Sequence, residues 1–246
     1  MRLIPPCLVL AGGLGTRLRS VVGNETPKAL APIHGQPFLA WLLRWLSQQG
    51  VTDVVLSVGH GQERIKNLFF ERCFEMSLTF VEEDEPLGTG GAIFHALKRC
   101  NACAAAPTLV VVNGDTLSNL DLCGLLEFSK STASDLVVAA ASVQDPSRYG
   151  TLDFDINSRR LRRFDEKNGT KSGYVNAGVY VIDTARLLSF STPRKFSFER
   201  DFLNLHIERL DIRVFPEITE FIDIGIPVDY ARAQNVVPRL VAGHLQ

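Results

Sequence analysis

The sequence predicts an α/β fold built on a mostly parallel sheet with helices on both faces. Short apolar runs alternate with amphipathic stretches along the first half of the chain, which is the pattern of strands and their covering helices. The 246 residues are 46% hydrophobic, so the chain is long enough to bury a sizeable core. The 19 glycines and 12 prolines are spread between the segments and are not collected in a disordered tract.

The first half of the chain is predicted to supply buried strands separated by helices. The four apolar runs that predict strands lie at positions 7–10, 54–58, 109–112 and 136–140. The amphipathic stretches that predict helices lie at positions 38–49, 91–99 and 120–130. In the first of these helices Phe38, Trp41 and Trp45 share one stripe, which is typical of a face that packs into the core. Gly50 is predicted to end that helix as its C-cap.

After Ser142 the pattern changes to short segments separated by turn residues. The segments 150–154, 161–166 and 174–182 follow one another closely, which favours antiparallel strands inserted in, or added to, the first sheet. A closing helix is predicted over 228–240, bent or ended near Pro238.

Composition and charge exclude several classes of protein. The chain has 26 basic and 27 acidic side chains, and this near balance argues against general binding of nucleic acid. No apolar run approaches the ~20 residues that a membrane span needs. The first residues lack the apolar centre and cleavage site of a secretory signal. We therefore expect a cytoplasmic protein with neither a nucleic-acid nor a membrane partner.

The five cysteines suggest no metal or redox centre. Cys100 and Cys103 have the C-x-x-C spacing of such centres, but no second pair and no nearby pair of histidines completes a set of four ligands. Ordinary reduced thiols are the expectation.

A glycine-rich segment directly follows the first predicted strand. Gly12, Gly13 and Gly15 let the backbone approach a ligand and point N–H groups into one concavity, which suits a polyanion. The segment lacks the terminal Gly-Lys-Ser/Thr of a Walker loop, and Leu18 stands where a dinucleotide fingerprint needs its third glycine. A plain tight turn is the alternative interpretation.

Two cations follow these glycines. Arg17 lies within the loop, and Pro27 stiffens the backbone that presents Lys28. Together the two cations could bracket a triphosphate and hold it in line for attack. For Lys28 by itself, a solvated loop lysine is the alternative.

Two aspartates each follow a short apolar run. Asp115 lies just beyond the run 109–112, where open α/β sheets bind ligands. Asp223 follows a second run, and Gly225 leaves room there for a ligand. Either carboxylate could hold Mg²⁺ while phosphate oxygens and water complete the coordination shell. A turn or a helix cap is the alternative for Asp115.

The segment Gly12–Leu18, taken with Pro27 and Lys28, resembles the signature of the sugar-1-phosphate nucleotidyltransferases. Ala29 departs from it, because many members have proline there. The resemblance covers nearly the whole chain. It implies a three-layer α/β/α, Rossmann-like fold with a mixed, mostly parallel central sheet and a small antiparallel sugar-binding portion. It also implies a single domain over 1–246, with a nucleotide-binding half near 1–142 and a sugar-phosphate-binding half near 143–246.

The family resemblance implies a reaction and a set of site residues. A nucleoside triphosphate and a sugar 1-phosphate would give a nucleotide sugar and pyrophosphate, with Mg²⁺ as cofactor. Catalytic roles are implied for Arg17, Lys28 and Asp115, and metal binding for Asp115 and Asp223. The implied nucleotide-binding residues are Leu10, Ala11, Gly12, Gly13, Gly15, Thr16, Ser57, Gly88 and Thr89. The implied sugar-phosphate-binding residues are Gly150, Glu166, Lys167 and Asn176.

Several alternatives stay open at the level of sequence. Spacing does not choose the base of the triphosphate, because discrimination depends on hydrogen bonds to base edges. A non-catalytic nucleotide-sugar sensor would most simply lack Lys28, Asp115 or Asp223, and all three are present. A dehydrogenase is disfavoured by the missing third glycine. A homodimer is expected only as the commonest assembly of soluble enzymes.

Overall fold

The structure is a computed structural model that describes residues 4–23, 25–70, 72–165 and 173–243. Its strands are β1 Cys7–Leu10, β2 Pro32–Ile33, β3 Gln36–Pro37, β4 Asp53–Val58, β5 Arg72–Cys73, β6 Met76–Glu82, β7 Thr108–Asn113, β8 Thr116–Ser118, β9 Leu136–Val143, β10 Thr151–Phe154, β11 Leu161–Asp165, β12 Gly173–Asp183, β13 Ile212–Ile218 and β14 Phe221–Asp223. Its α-helices are α1 Arg19–Val22, α2 Phe38–Gln48, α3 Gln62–Leu68, α4 Gly88–Arg99, α5 Asn101–Ala105, α6 Leu122–Thr132, α7 Thr184–Leu188, α8 Asn204–His206 and α9 Pro227–Gly243. Single 3₁₀ turns cover Thr16–Leu18 and Lys28–Leu30, and a π-helical turn covers Phe198–Leu203.

One mixed sheet organises the molecule. Strands β7, β1, β4 and β6 run parallel and in that order, as expected of strands joined by helical crossovers. Strand β12 pairs antiparallel with β7 on one side and with β9 on the other. Strand β13 lies parallel to β9, while β10 and β11 form an antiparallel extension beside β12. The antiparallel strands predicted in the second half of the chain therefore join the first sheet.

Two hydrophobic cores lie on opposite faces of this sheet. Alternate residues of β1 point to opposite sides, so that Val9 packs in one core and Leu8 in the other. Helices α2, α6 and α9 cover the first face, and α4, α5 and α7 cover the second. This arrangement confirms the three-layer prediction.

Most predicted elements are present, with shifted ends. Helix α4 begins at Gly88, three residues earlier than predicted, and α6 begins at Leu122 behind Asp121. Helix α9 runs through Pro238 to Gly243, so the expected end of the helix near that proline is wrong. The proline takes away one backbone donor, but packing of Val237 and Leu240 against the core holds both turns of the helix in place.

Among the residues that the structure describes, no helix is both long and apolar enough to cross a membrane.

Candidate active site

The glycine loop after β1 is shaped by close packing. Gly15 has φ +57°, and a Cβ atom added there would lie 2.8 Å from the Cβ of Lys28. A Cβ at Gly12 would lie 2.6 Å from a carboxylate oxygen of Glu83, whereas one at Gly13 would meet nothing within 4 Å. The fold therefore requires Gly15, Gly12 leaves room for the Glu83 carboxylate, and Gly13 leaves open space above the loop.

Lys28 joins the two predicted aspartates. It opens the 3₁₀ turn behind Pro27, and its Nζ forms a short ion pair with Oδ2 of Asp115 and lies 3.2 Å from Oδ1 of Asp223. Its side chain is only 12% exposed. Gly225 leaves room for this contact, because a Cβ there would lie 2.9 Å from the Lys28 Nζ.

A short antiparallel ribbon brings the two aspartates together. Strands β8 and β14 pair so that Asp223 lies opposite Thr116, the neighbour of Asp115. The backbone N–H of Ile224 donates to the carbonyl of Asp115 at 3.0 Å. The Gly225 N–H donates to Asp223 Oδ1 at 2.6 Å, which fixes the direction of that carboxylate. Residues 108 positions apart in the sequence thus share one small charged cluster.

The two carboxylates of this cluster favour the charged form of Lys28. Burial and the neighbouring charge of Asp115 raise the pKa of Asp223 above its usual value, against the opposing effect of Lys28. Burial alone would lower the pKa of Lys28, but the charges of Asp115 and Asp223 outweigh it, and the net pKa is raised. Lys28 therefore stays charged and offsets the repulsion between the two carboxylates.

The glycine loop faces a cleft of about 400 Å³. Arg17 and Lys28 line it together with Asp115, and the segment Pro86–Thr89 closes the opposite wall. The sequence-predicted residues that line this cleft are Leu10, Gly12, Gly13, Gly15, Thr16, Arg17, Lys28, Gly88, Thr89 and Asp115. A larger groove of about 940 Å³ lies by the other end of β7, near Thr108 and Asp183, and none of the predicted residues lines it.

The other predicted residues within the described ranges do not line the cleft: Ala11, Ser57, Gly150, Asn176 and Asp223. Ser57 is fully buried, and its hydroxyl donates to Glu83 at 2.8 Å; Ala11 is 5% exposed. A Cβ at Gly150 would lie 2.3 Å from the ring of Phe164, so packing explains that glycine. Asn176 donates to the hydroxyl of Tyr180 at 2.5 Å. The predicted pair Glu166 and Lys167 lies outside the described residues.

Two acidic residues were not predicted: Glu83, which lines the cleft, and Glu199, which accepts a hydrogen bond from the lining residue Thr89. Glu83 is 8% exposed, lines the cleft, and accepts hydrogen bonds from Ser57 and from the Leu87 N–H. It belongs to a run of four acids, 82–85, whose other members are exposed, so the run looks like a solvated edge. Glu199 accepts from Thr89 and Tyr180 and lies on the π-helical turn, whose sequence carries no signal of that contact.

The donor set suits a hard cation that also has a bound phosphate. Asp115 and Asp223 converge on one point and offer oxygen atoms, which Mg²⁺ prefers. In the described ranges, no group of three or more His, Cys, Asp and Glu side chains forms a metal cage. Two carboxylates that leave most ligands to phosphate and water are typical of magnesium sites in phosphoryl-transfer enzymes.

Comparison with known proteins decides the family. The model of the nucleotidyl transferase family matches residues 7–239. The chain belongs to the nucleotidyl transferases. It is 40% identical over 228 residues to D-glycero-alpha-D-manno-heptose 1-phosphate guanylyltransferase of Aneurinibacillus thermoaerophilus, covering 93% of this chain and 96% of the relative. It is 37% identical over 223 residues to the protein of the same name from Campylobacter jejuni, covering 91% and 96%.

Solved structures agree with the fold. HddC from Yersinia pseudotuberculosis has a TM-score of 0.81 and 36% identity, covering 94% of this chain and 98% of that one. A structure of HddC complexed with GMP-PN gives the same TM-score and 37% identity. A glucose-1-phosphate thymidylyltransferase structure from Bacillus anthracis, described as putative, has a TM-score of 0.80 at 23% identity and shows the shared fold alone. The predicted Rossmann-like architecture and the predicted enzyme class are confirmed.

Proposed function

We propose that this nucleotidyl transferase joins the guanylyl group of GTP to D-glycero-α-D-manno-heptose 1-phosphate. The products would be GDP-heptose and pyrophosphate. The two relatives at 40% and 37% identity carry this activity in their names, and the HddC structure was solved with GMP-PN. Within the family, the segments 18–22, 83–93 and 196–203 resemble those of the heptose enzymes.

One observation carries the proposed chemistry: Lys28 lies between Asp115 and Asp223 at the edge of the glycine-lined cleft. An oxygen of the sugar phosphate attacks the α-phosphorus and forms the new P–O bond. The bond between the α-phosphorus and its bridging oxygen breaks in line, and the electron pair leaves with pyrophosphate. The nucleophile is already an anion, so the reaction needs no general base; it needs neutralisation and alignment.

The chain supplies the neutralising groups. Arg17 is exposed on the cleft wall, where it can reach the phosphates of a bound nucleotide. Lys28 is held by its two carboxylates until a phosphate offers it a further anionic partner. Asp115 and Asp223 would hold Mg²⁺. Bound there, the ion would neutralise charge on phosphate oxygens as the bond to the leaving group lengthens.

We assign the sugar-phosphate side to Gly150, Asn176, Glu166 and Lys167. Asn176 lies on β12, and Glu166 would accept hydrogen bonds from sugar hydroxyls. Lys167 would neutralise the sugar phosphate. The hydrogen bonds of either charged residue would be charge-assisted, and such hydrogen bonds are stronger than neutral ones.

A panel of triphosphates and sugar phosphates tests the proposal by the pyrophosphate released. We expect GTP with the heptose 1-phosphate to give the highest kcat/KM. Preference for mannose 1-phosphate would favour a mannose-1-phosphate guanylyltransferase. This chain is 33% identical to a Sulfolobus acidocaldarius protein named "Putative mannose-1-phosphate guanyltransferase". Preference for UTP with N-acetylmuramate 1-phosphate would indicate a uridylyltransferase. Nucleotide-sugar binding without any release of pyrophosphate would indicate a sensor.

A further inference from the structure

A carboxylate from the second half of the chain reaches the wall of the cleft. Glu199 lies on the π-helical turn, and its Oε1 accepts a hydrogen bond from the Tyr180 hydroxyl at 2.6 Å. Its Oε2 accepts from the hydroxyls of Thr89, at 2.8 Å, and Ser197, at 3.0 Å. These three donors are neutral, so the negative charge of Glu199 is satisfied by hydroxyl groups.

The hydrogen bonds continue on both sides of Glu199. The Tyr180 hydroxyl also accepts from Nδ2 of Asn176, and Oδ1 of Asn176 accepts from the Gly178 N–H at 2.9 Å. On the other side, the Thr89 hydroxyl accepts from the Phe198 N–H at 2.9 Å. Burial, then the charge of Glu199, raises the pKa of Tyr180 well above its ordinary value, so its hydroxyl keeps the proton that it donates.

The two ends of this chain of hydrogen bonds lie on different parts of the site. Thr89 lines the cleft in the first turn of α4, next to Gly88. Asn176 lies where the pairing of β12 with β9 shifts register, at an irregularity that extends to Tyr180. Such irregularities often re-aim side chains next to active sites. Gly178, inside it, packs against Asn113 and Thr116, which flank the segment of Asp115.

We propose that Glu199 is a positioning residue that couples the nucleotide wall of the cleft, through Thr89, to the sugar wall, through Tyr180 and Asn176. This inference rests on the proposed function, because it takes the two walls to bind the two substrates. Glu199 has both oxygens occupied by the protein, so it acts through its partners and not on a substrate. Binding of one substrate then changes the affinity for the other through a single connected network.

An amide at this position breaks the pattern of donors and acceptors. In Glu199→Gln one oxygen becomes an NH₂ donor that must face a hydroxyl already placed to donate. The side chain keeps its size, so packing is retained while the direction of the hydrogen bonds is lost. Tyr180→Phe is a second test variant. It removes only the hydroxyl that links Glu199 to Asn176.

The test measures cross-effects, which are changes in the KM for one substrate caused by a substitution on the wall that binds the other substrate. In the wild-type background, Thr89→Val should raise the KM for the sugar phosphate, and Asn176→Ala should raise the KM for GTP. We expect each cross-effect to be about five-fold or more, the lower end of usual coupling between sites. In the Glu199→Gln background both cross-effects should disappear, and in Tyr180→Phe likewise. Glu208→Gln, an exposed carboxylate on the same stretch of chain, is the matched control and should leave them intact.

Calorimetric binding of a non-hydrolysable GTP analogue and of the sugar phosphate gives the same coupling without turnover. Cross-effects that persist undiminished in Glu199→Gln and Tyr180→Phe overturn the inference. So does a Thr89→Val protein whose affinity changes for the nucleotide alone. An inactive wild-type protein that still shows Glu199-dependent coupling by calorimetry refutes the proposed reaction and supports the inference. If Glu199→Gln does not fold, Tyr180→Phe decides alone.

Discussion

Lys28 is the residue on which the charge balance of the site depends. We expect Lys28→Ala to lower kcat about 100-fold or more, because one neutralising group in such a site contributes roughly 3 kcal/mol to the barrier. Pyrophosphate release measures the loss, and circular dichroism shows whether the fold persists. Lys66→Ala is the control, since Lys66 pairs with Glu63 and Glu82 at a distance from the cleft. A folded Lys28→Ala protein with near-normal kcat would remove Lys28 from the mechanism.

Gly15 and Gly35 form a pair for testing the loop. Both have positive φ, +57° and +75°, so alanine strains the backbone at either position by about 1–2 kcal/mol. Only at Gly15 would the added Cβ also meet the Cβ of Lys28; at Gly35 it meets nothing within 4 Å. We expect Gly15→Ala to lose more stability than Gly35→Ala in urea unfolding, and kcat to fall in Gly15→Ala alone. Equal kcat in the two variants would show that the loop does not hold Lys28 in place.

At the scale of residues, the sequence was informative where spacing and chemistry coincide. Lys28 follows Pro27, Asp115 follows the apolar run 109–112, and the structure brings the two side chains together. Glu83 could not be predicted, because only the pairing of β6 with β4 shows which member of the acidic run is buried. The contact between Thr89 and Glu199 joins residues 110 positions apart, and no local pattern predicts it.

At the scale of elements, strands that are buried on both faces could be predicted from the sequence, and the other strands could not. Strands β1, β4 and β7 are continuous apolar runs, as buried parallel strands usually are, and each was predicted. Strand β6 alternates buried Met76 and Leu78 with exposed Ser77 and so lacks such a run. Strands β8 and β14 have three residues each, too few for any periodicity. Yet that short pair positions Asp223.

Helix α9 is tied to the loop before Gly150 by one buried carboxylate. Asp229, in the first turn of α9, is 2% exposed and pairs with Arg148 at 3.1 Å and Arg232 at 2.9 Å. The Tyr149 hydroxyl donates to it at 3.3 Å. Asp229 also lies where the helix dipole favours a negative charge. The side chain therefore anchors the loop before Gly150 to the closing helix.

We expect Asp229→Asn to destabilise the protein by roughly 1–2 kcal/mol, because the charge-assisted hydrogen bonds weaken while the arginines stay half exposed to water. Urea unfolding measures the loss, with the exposed Asp84→Asn as the control. Burial, then the charge of Asp229, raises the pKa of Tyr149 to about 12. The contribution of the protonated Tyr149 hydroxyl to the free energy of unfolding is complete below the ordinary tyrosine pKa of about 10. It is lost as the pH rises through the raised pKa of about 12. Asp229→Asn should lower the ultraviolet titration midpoint of Tyr149; an unchanged midpoint would contradict the contact.

At the scale of the whole molecule, the two halves share one sheet and one cleft. Strand β12 comes from the second half and inserts between β7 and β9 of the first half. The first half supplies Lys28 and Asp115, and the second supplies Asp223 and Glu199. The site is complete only when both halves are folded, so a ligand that bridges them should stabilise the entire chain.

Ligand-dependent melting tests this consequence. A ligand at about 100 times its Kd stabilises the folded state by roughly 2.7 kcal/mol, which for a chain of this size raises Tm by roughly 5 to 10 °C. We expect GTP with Mg²⁺ to give such a rise and UTP to give far less. Excess chelator should remove most of this rise in Tm. The double substitution Asp115→Asn and Asp223→Asn should do the same, because the two side chains then no longer hold the cation that accompanies the triphosphate. An equal rise with UTP would refute the choice of base. A rise that survives both the chelator and the double substitution would refute the metal site but leave the cleft as the nucleotide site, since Gly13 and Arg17 would still bind the phosphates.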